Sequence, residues 1–132
     1  MEQTELDAYW SILKTGVKSI AEIKQRTIAY EFCLLVEGEL DDLGRGALGL
    51  VQQLTLHHVS VKKCKSYQKK LQNKLPEEGF SPYSPLIWAL EPHTDSYPTW
   101  YSAGIAGLNI VDLRIATLPE LTNVIMKTLK SL

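Results

Sequence analysis

A stripe of mainly apolar side chains from Leu43 to Leu75 is the feature that most constrains the fold of this chain. Its members follow one another at alternating steps of four and three, which places them on one face of a helix. We therefore expect one long helix, although such a length is unusual in a small domain. The β-branched segment Val59-Ser60-Val61 is where we expect a kink, a break or a short strand. The stripe comprises Leu43, Ala47, Leu50, Leu54, His57, Val61, Cys64, Gln68, Leu71 and Leu75.

Further helices are predicted on both sides of this stripe. Ser19 and Glu22 have the spacing of a capping box, which predicts the start of a helix there. From Phe32 to Val36 that segment is apolar on every side, so we expect it to be deeply buried, with a buried strand as the alternative. Near the end of the chain, Thr117 precedes Leu118 and Pro119, a typical start for a final helix.

The stretch from Pro76 to Tyr101 has a different character. It contains five of the six prolines and six of the eleven aromatic residues, so no long helix fits. We predict an ordered loop over one face of the core, with a short helical turn between Pro85 and Leu90. Residues 102–106 are small and are expected to be flexible, and residues 108–115 suit either a short strand or a buried helix.

Together these patterns predict a mainly α fold, a compact domain of four to five helices formed by residues 1–132. Its parts are the N-terminal helices of residues 1–75, the connection of residues 76–107 and the C-terminal element and helix of residues 108–132. Length and composition are ordinary for a single globular domain. The N-terminus is acidic and no apolar run is long enough for a membrane span, so we expect a cytoplasmic protein without a membrane partner.

Charge is distributed unevenly along the chain. The formal net charge is −1, yet residues 43–76 contain seven basic residues and no acidic one. On a helix the lysines of this segment would form one exposed face, suited to a nucleic-acid backbone or another anionic partner. The alternative is an ordinary solvated face, although such faces normally include glutamate. The predicted binding residues are Lys62, Lys63, Lys65, Lys69, Lys70 and Lys74, with Tyr67 available to stack on a base or sugar.

The acidic residues between Glu37 and Asp42 offer another use for these lysines. They could lie against the basic segment 62–74 of the same molecule or of a second copy, which would make the charge pattern a device for forming homo-oligomers. Cys64 lies within the lysine cluster, where it could be a reactive thiol. Burial on the apolar side of the basic helix is the interpretation that we favour.

The aromatic loop between Glu91 and Tyr101 is the second candidate surface. His93 could act as a general base oriented by Asp95 or Glu91, with Ser96 or Tyr97 as the reacting group. A local turn is the more ordinary interpretation. The aromatic side chains could instead seal the core or contact a protein partner. The residues predicted for partner binding are His93, Asp95, Tyr97 and Trp100.

The sequence therefore favours a non-catalytic binding subunit over an enzyme. His57, His58 and Cys64 lack the spacing of a zinc site, so we predict no metal and no cofactor. The first hypothesis is that the basic helix contacts nucleic acid within a larger complex that includes a protein partner. The second is an inhibitor or immunity-type protein that blocks a protein target, and the third is a small enzyme centred on His93.

Overall fold

The computed structural model describes residues 2–79 and 81–132, and this part of the chain contains seven α-helices and no strand. A mainly α fold is therefore confirmed, with more helices than the four or five predicted. A π-helical turn, Leu13–Val17, continues the first helix, and a 3-10 turn, Glu37–Glu39, precedes the third. The helices are α1 Gln3–Ile12, α2 Glu22–Leu34, α3 Asp42–Leu54, α4 Val61–Gln72, α5 Tyr83–Ala89, α6 Thr99–Asp112 and α7 Leu118–Ser131.

The centre of the fold is α6, which packs against α2 and α5 and also contacts α1 and α7. Two glycines allow α1 to approach it closely. A Cβ at Gly104 would lie 2.5 Å from the Trp10 ring, and one at Gly107 would overlap the Tyr9 hydroxyl. That hydroxyl donates a hydrogen bond of 2.7 Å to the carbonyl oxygen of Gly104, and Tyr9 is fully buried.

One prediction for this region was wrong. The small residues 102–106 are not flexible but lie inside α6, where small side chains let neighbouring helices pack closely. Of the two alternatives for residues 108–115, the helix is confirmed, because residues 108–112 continue α6. α6 ends at Asp112. Beyond it, Arg114 has a positive φ of 60° and the Ile115 amide donates to the carbonyl oxygen of Ile110, which is the pattern of a Schellman motif.

The long helix predicted over residues 43–75 is divided in two. α3 ends at Leu54, residues 55–60 form a turn and an extended segment, and α4 begins at Val61. The Ser60 hydroxyl accepts the Lys63 amide, so a side-chain cap starts the second helix. The stripe is buried along both helices, at Leu50 and Leu71 for example, but His57 and Val61 at the break are exposed.

Two other predicted starts can be compared with the structure. Thr117 caps α7 by accepting the Glu120 amide, as the sequence indicated, and Asp41 caps α3 by accepting the Gly44 amide. The capping box at Ser19 and Glu22 is wrong, because Ala21 is the N-cap of α2 and the Ser19 hydroxyl bonds back to the carbonyl oxygen of Gly16. Glu22 is thereby free for contacts with other helices.

The proline-rich stretch contains more helix than predicted. α5 covers Tyr83–Ala89, and α6 begins directly after Pro98, so residues 90–98 are the connection between two packed helices. The alternative of a strand at residues 32–36 is also wrong, because α2 extends to Leu34. Among the described residues, no helix is both long enough and apolar enough to cross a membrane.

Substitution of Gly107 by alanine tests the close approach of α1 to α6. We expect Gly107→Ala to lower the free energy of unfolding by about 1–3 kcal/mol, because the new methyl group would displace Tyr9 or Phe32. Urea unfolding followed by far-UV circular dichroism measures the change.

Gly49→Ala is the matched control. Gly49 is also inside a helix, but a Cβ there would meet no atom within 4 Å. We expect this variant to be more stable than the original chain by roughly 0.5–1 kcal/mol, from helix propensity alone. Equal effects of the two substitutions would contradict the assigned packing.

Candidate functional site

The basic face consists of the six lysines of α4 and the turn after it, and all six side chains are exposed. At about 100° per residue, Lys65, Lys69 and the other lysines project from the half of α4 opposite to the buried stripe. Within the described residues the one salt bridge joins Arg26 to Glu22, so no lysine is paired there with a carboxylate. The positive charges of the basic face therefore lie in solvent without a bonded counter-ion.

α4 is held in place by three buried side chains, Cys64, Gln68 and Leu71. The Gln68 amide nitrogen donates to the carbonyl oxygen of Ile87 and to the carboxylate of Glu91, both at 2.8 Å. These bonds fix the helix against the end of α5 and leave its outer side free. A rigid helix carrying unpaired lysines can present their charges in a defined arrangement.

Tyr67 lies at the edge of the basic face and contacts α3. A Cβ at Gly46 would lie 3.4 Å from its hydroxyl, and the Lys70 ammonium group lies over its ring at 5.2 Å from the centroid. The ring thus helps to dock α4 and stabilises Lys70 through a cation–π contact. Its stacking on a base stays a prediction.

The acidic segment 37–42 makes no ion pair with the basic face among the described residues. The Tyr83 hydroxyl and then the Gly44 amide bond to Asp41 and hold the pKa of its carboxyl below the usual range, and the charge of Lys74 acts in the same direction. The same hydrogen bond raises the pKa of Tyr83 to about 12. Lys74 is therefore close enough for its charge to act on Asp41. Self-association through the acidic and basic segments stays a prediction.

The residues of the aromatic loop that were predicted to bind a partner lie in different environments. Tyr97 is 42% exposed and contacts the rings of Trp88 and Tyr101. Trp100 is half-buried against Trp10, with the Lys18 ammonium group 5.7 Å from the centre of its ring. Asp95 is exposed in the loop, and the described structure gives it no side-chain hydrogen bond. Residues 93–97 of the loop are therefore exposed, whereas Trp100 is held by contacts within the molecule.

His93 belongs to a polar network that the sequence analysis did not identify. Its Nδ1 accepts the Thr99 amide at 3.1 Å, so Nδ1 carries no proton in this arrangement. The Thr99 hydroxyl donates to Glu22 at 2.9 Å, and the same Glu22 oxygen accepts from Arg26 Nε at 2.9 Å. His93 is thus oriented by Thr99, whereas Asp95 and Glu91 were the residues proposed for that role.

Arg26 is the buried cation of this network. It is 6% exposed, and its Nη1 donates to the carbonyl oxygens of Ala89 and Glu91, both at 3.0 Å. Burial would raise the pKa of Glu22, but the hydrogen bond from Thr99 and the charge and hydrogen bond of Arg26 outweigh it and leave the pKa below its ordinary value. The network therefore favours the ionised form of the Glu22 carboxyl.

A half-open cavity of about 330 Å³ adjoins this network and brings together residues that are distant in sequence. All three histidines of the chain, His57, His58 and His93, line it together with Cys64. Burial raises the pKa of the Cys64 thiol and the charges of Arg26 and Lys63 partly offset this, so the favoured prediction of a buried cysteine is confirmed. Among the described residues, no three histidine, cysteine or acidic side chains are placed to share a metal ion.

Two residues of the network had a signal in the sequence. Glu22 and Arg26 are four positions apart, a spacing at which opposite charges pair on a helix. Nothing local to Thr99 indicated its contact with Glu22, 77 positions earlier in the chain.

Comparison with protein-family models, curated proteins and solved structures gave no match to this chain.

The lowered pKa of Glu22 predicts a pH-dependent contribution to stability. A carboxyl whose folded-state pKa is below its ordinary value of 4.5 stabilises the fold at higher pH and loses this contribution as the pH falls through the folded-state value. We expect Glu22→Gln to be less stable than the original chain at neutral pH and the difference to shrink in acid. Urea unfolding at a series of pH values measures this.

Glu77→Gln serves as the control for the change of charge. Glu77 is exposed and makes no side-chain hydrogen bond with the described residues, so its substitution should leave the free energy of unfolding nearly unchanged at every pH. A stability difference for Glu22→Gln that stays constant between neutral pH and acid would show that the carboxylate is not held by the network.

Proposed function

We propose that this protein is a non-catalytic binding domain whose basic face contacts the phosphate backbone of a nucleic acid. The observation that supports the proposal is the set of six exposed lysines on one anchored helix and the turn after it, without a paired carboxylate among the described residues. Clustered ammonium groups repel one another, and a polyanion relieves this repulsion while releasing its condensed counter-ions.

The composition of the basic face favours phosphate over an acidic protein. Between the lysines its exposed residues are Ser66, Gln72 and Asn73, which are polar. The centres of protein–protein interfaces are depleted of lysine and depend on aromatic or apolar anchors. A nucleic-acid backbone requires only positive charge along its path, and lysine contacts to it are independent of base sequence.

A protein partner is the second candidate, and one observation favours it. Leu56 and Val61, at the break between α3 and α4, are 72% and 52% exposed and lie next to the start of the basic face. They offer apolar contact area to a protein target. On this candidate function the protein would be an inhibitor or immunity-type protein.

An enzyme centred on His93 is the third candidate and has less support. Nδ1 of His93 is bonded to the Thr99 amide, so Nε2 is the nitrogen available to a substrate. The carboxylate of Glu22 reaches the ring through the Thr99 hydroxyl, rather than by a direct bond. A general base normally has its orienting group in direct contact.

Charge reversal on α4 tests the first candidate. We expect the triple substitution of Lys65, Lys69 and Lys70 by glutamate to abolish binding to a short fluorescent oligonucleotide at physiological salt, as measured by anisotropy. For the original chain the logarithm of the affinity should fall steeply with the logarithm of salt concentration, by about 0.9 for each phosphate that is neutralised on a duplex.

The matched control reverses three exposed lysines outside the basic face, Lys14, Lys24 and Lys127. Both triple variants change the net charge equally, so a general charge effect would weaken them equally. We expect the control to keep most of the affinity and most of the salt dependence. An affinity of the original chain that is insensitive to salt would contradict the proposal, and a nuclease-resistant complex with one protein would favour the inhibitor.

A further inference from the structure

Two helices begin at the cavity beside His93, and a third begins next to its wall. Glu22 is the first residue of α2 and Val61 is the first residue of α4, and both line the cavity. Thr99 is the first residue of α6 and bonds to two residues of the cavity wall, Glu22 and His93. Helix N-termini carry partial positive charge and amide groups without intrahelical partners, so their convergence produces a positive potential.

Arg26 adds a guanidinium to the cavity wall, where its charge is paired with that of Glu22, and it retains unused hydrogen-bonding capacity. Its Nε and Nη1 bond to Glu22 and to two carbonyl oxygens, but Nη2 has no partner among the residues that the structure describes. Among the described residues, the fully buried side-chain nitrogen and oxygen atoms without a hydrogen-bond partner are Gln25 Oε1 and Ser102 Oγ. Arg26 Nη2 also has no partner but is not one of these buried atoms, so solvent reaches it. A guanidinium that is more than nine-tenths buried thus has a free donor group and lines a cavity.

The other groups at or near the cavity are one carboxylate, one ammonium group and several apolar side chains. Glu22 is the carboxylate in the wall, and it is already bonded to Arg26 and Thr99. The ammonium group of Lys63 is close enough to influence the Cys64 thiol. Leu54, Val59, Val61 and Pro92 provide apolar walls, and about 330 Å³ is within the usual size of a site for a small organic ligand.

We propose that this cavity binds a phosphate monoester, with the phosphate at Arg26 and the N-terminus of α4 and the organic part against the apolar walls. A doubly charged phosphate gains more than a carboxylate from a convergence of helix N-termini and a guanidinium. The ester could be a free small molecule or the terminal phosphate of a nucleic acid that lies along α4. This site adjoins the start of the basic face, but it does not depend on the function proposed for that face.

Phenyl phosphate is a suitable probe, because it combines a phosphate monoester with an apolar body of appropriate size. We expect saturable binding with a dissociation constant below about 1 mM in a nitrogen–proton NMR titration, with shifts at the Val61 and Lys62 amides and at the Arg26 side chain. Benzoate, which has the same ring with a carboxylate, should bind at least about tenfold more weakly. Absence of saturable binding, or equal binding of benzoate, would overturn the proposal.

Val61→Trp tests the location without removing a member of the polar network. Val61 is 52% exposed and lines the cavity, so a larger side chain there can fill the cavity while the core is unchanged. We expect at least about tenfold weaker binding of phenyl phosphate. Leu56→Trp, at an exposed position outside the cavity wall, should leave the affinity unchanged. Equal affinities of the two variants would show that the ligand binds elsewhere.

Arg26→Lys is a second variant and is tested after its fold has been verified by circular dichroism. It keeps the charge but loses the planar donor group, so phenyl phosphate should bind more weakly. The charge-reversed variant of Lys65, Lys69 and Lys70 should still bind phenyl phosphate, which separates this proposal from that of the basic face. Competition by a 5′-phosphorylated oligonucleotide, but not by its unphosphorylated form, would support the site and identify its ligand as nucleic acid. Competition by small phosphate esters alone would identify the ligand as a free small molecule.

Discussion

The buried guanidinium of Arg26 holds in place the backbone that supports both the basic face and the cavity beside His93. It donates to the carbonyl oxygens of Ala89 and Glu91, at the C-terminal end of α5, where unpaired carbonyls and the helix dipole favour a cation. Through Glu22 it is also connected to Thr99, the first residue of α6. One side chain thereby fixes both ends of the loop that carries His93. A buried charge has to be paired and hydrogen-bonded to be tolerated, so this arrangement allows few alternatives.

The position of the basic helix follows from the same contact. Arg26 holds the backbone of Glu91, and the side chain of Glu91 accepts a hydrogen bond from Gln68 in the buried stripe of α4. The basic face is consequently attached through Glu91 to the core, although few of its own residues are buried. An exposed helix with unpaired lysines would otherwise be poorly stabilised, since like charges on one face oppose helix formation. The polar network compensates for this cost and keeps the lysines in one arrangement.

Sequence patterns predicted the periodic elements of this fold and misjudged the contacts between distant residues. The stripe of α3 and α4 and the start of α7 at Thr117 are local signals, and both are present in the structure, although the single helix predicted for the stripe is divided in two. Small residues in α6 were interpreted as flexible because their effect, the close approach of Tyr9, depends on a helix 95 positions away. Glu22 was assigned to a capping box because the local spacing matches, but Arg26 and Thr99 provide stronger partners in the folded chain. The exposure of the lysines could be predicted from periodicity, whereas the cavity beside His93 could not.

The interruption of the long stripe at residues 55–60 explains how one segment contributes to two surfaces. In a continuous helix His57 and Val61 would be inside the apolar stripe, and the amides at the start of α4 would be used by the preceding turn. Because the chain breaks there, Ser60 caps a new helix whose first residue lies at the cavity. The same break turns α4 so that Cys64, Gln68 and Leu71 face the core and the lysines face solvent. The dipole of α4 therefore directs its positive end to the cavity, and the basic face begins at that same end.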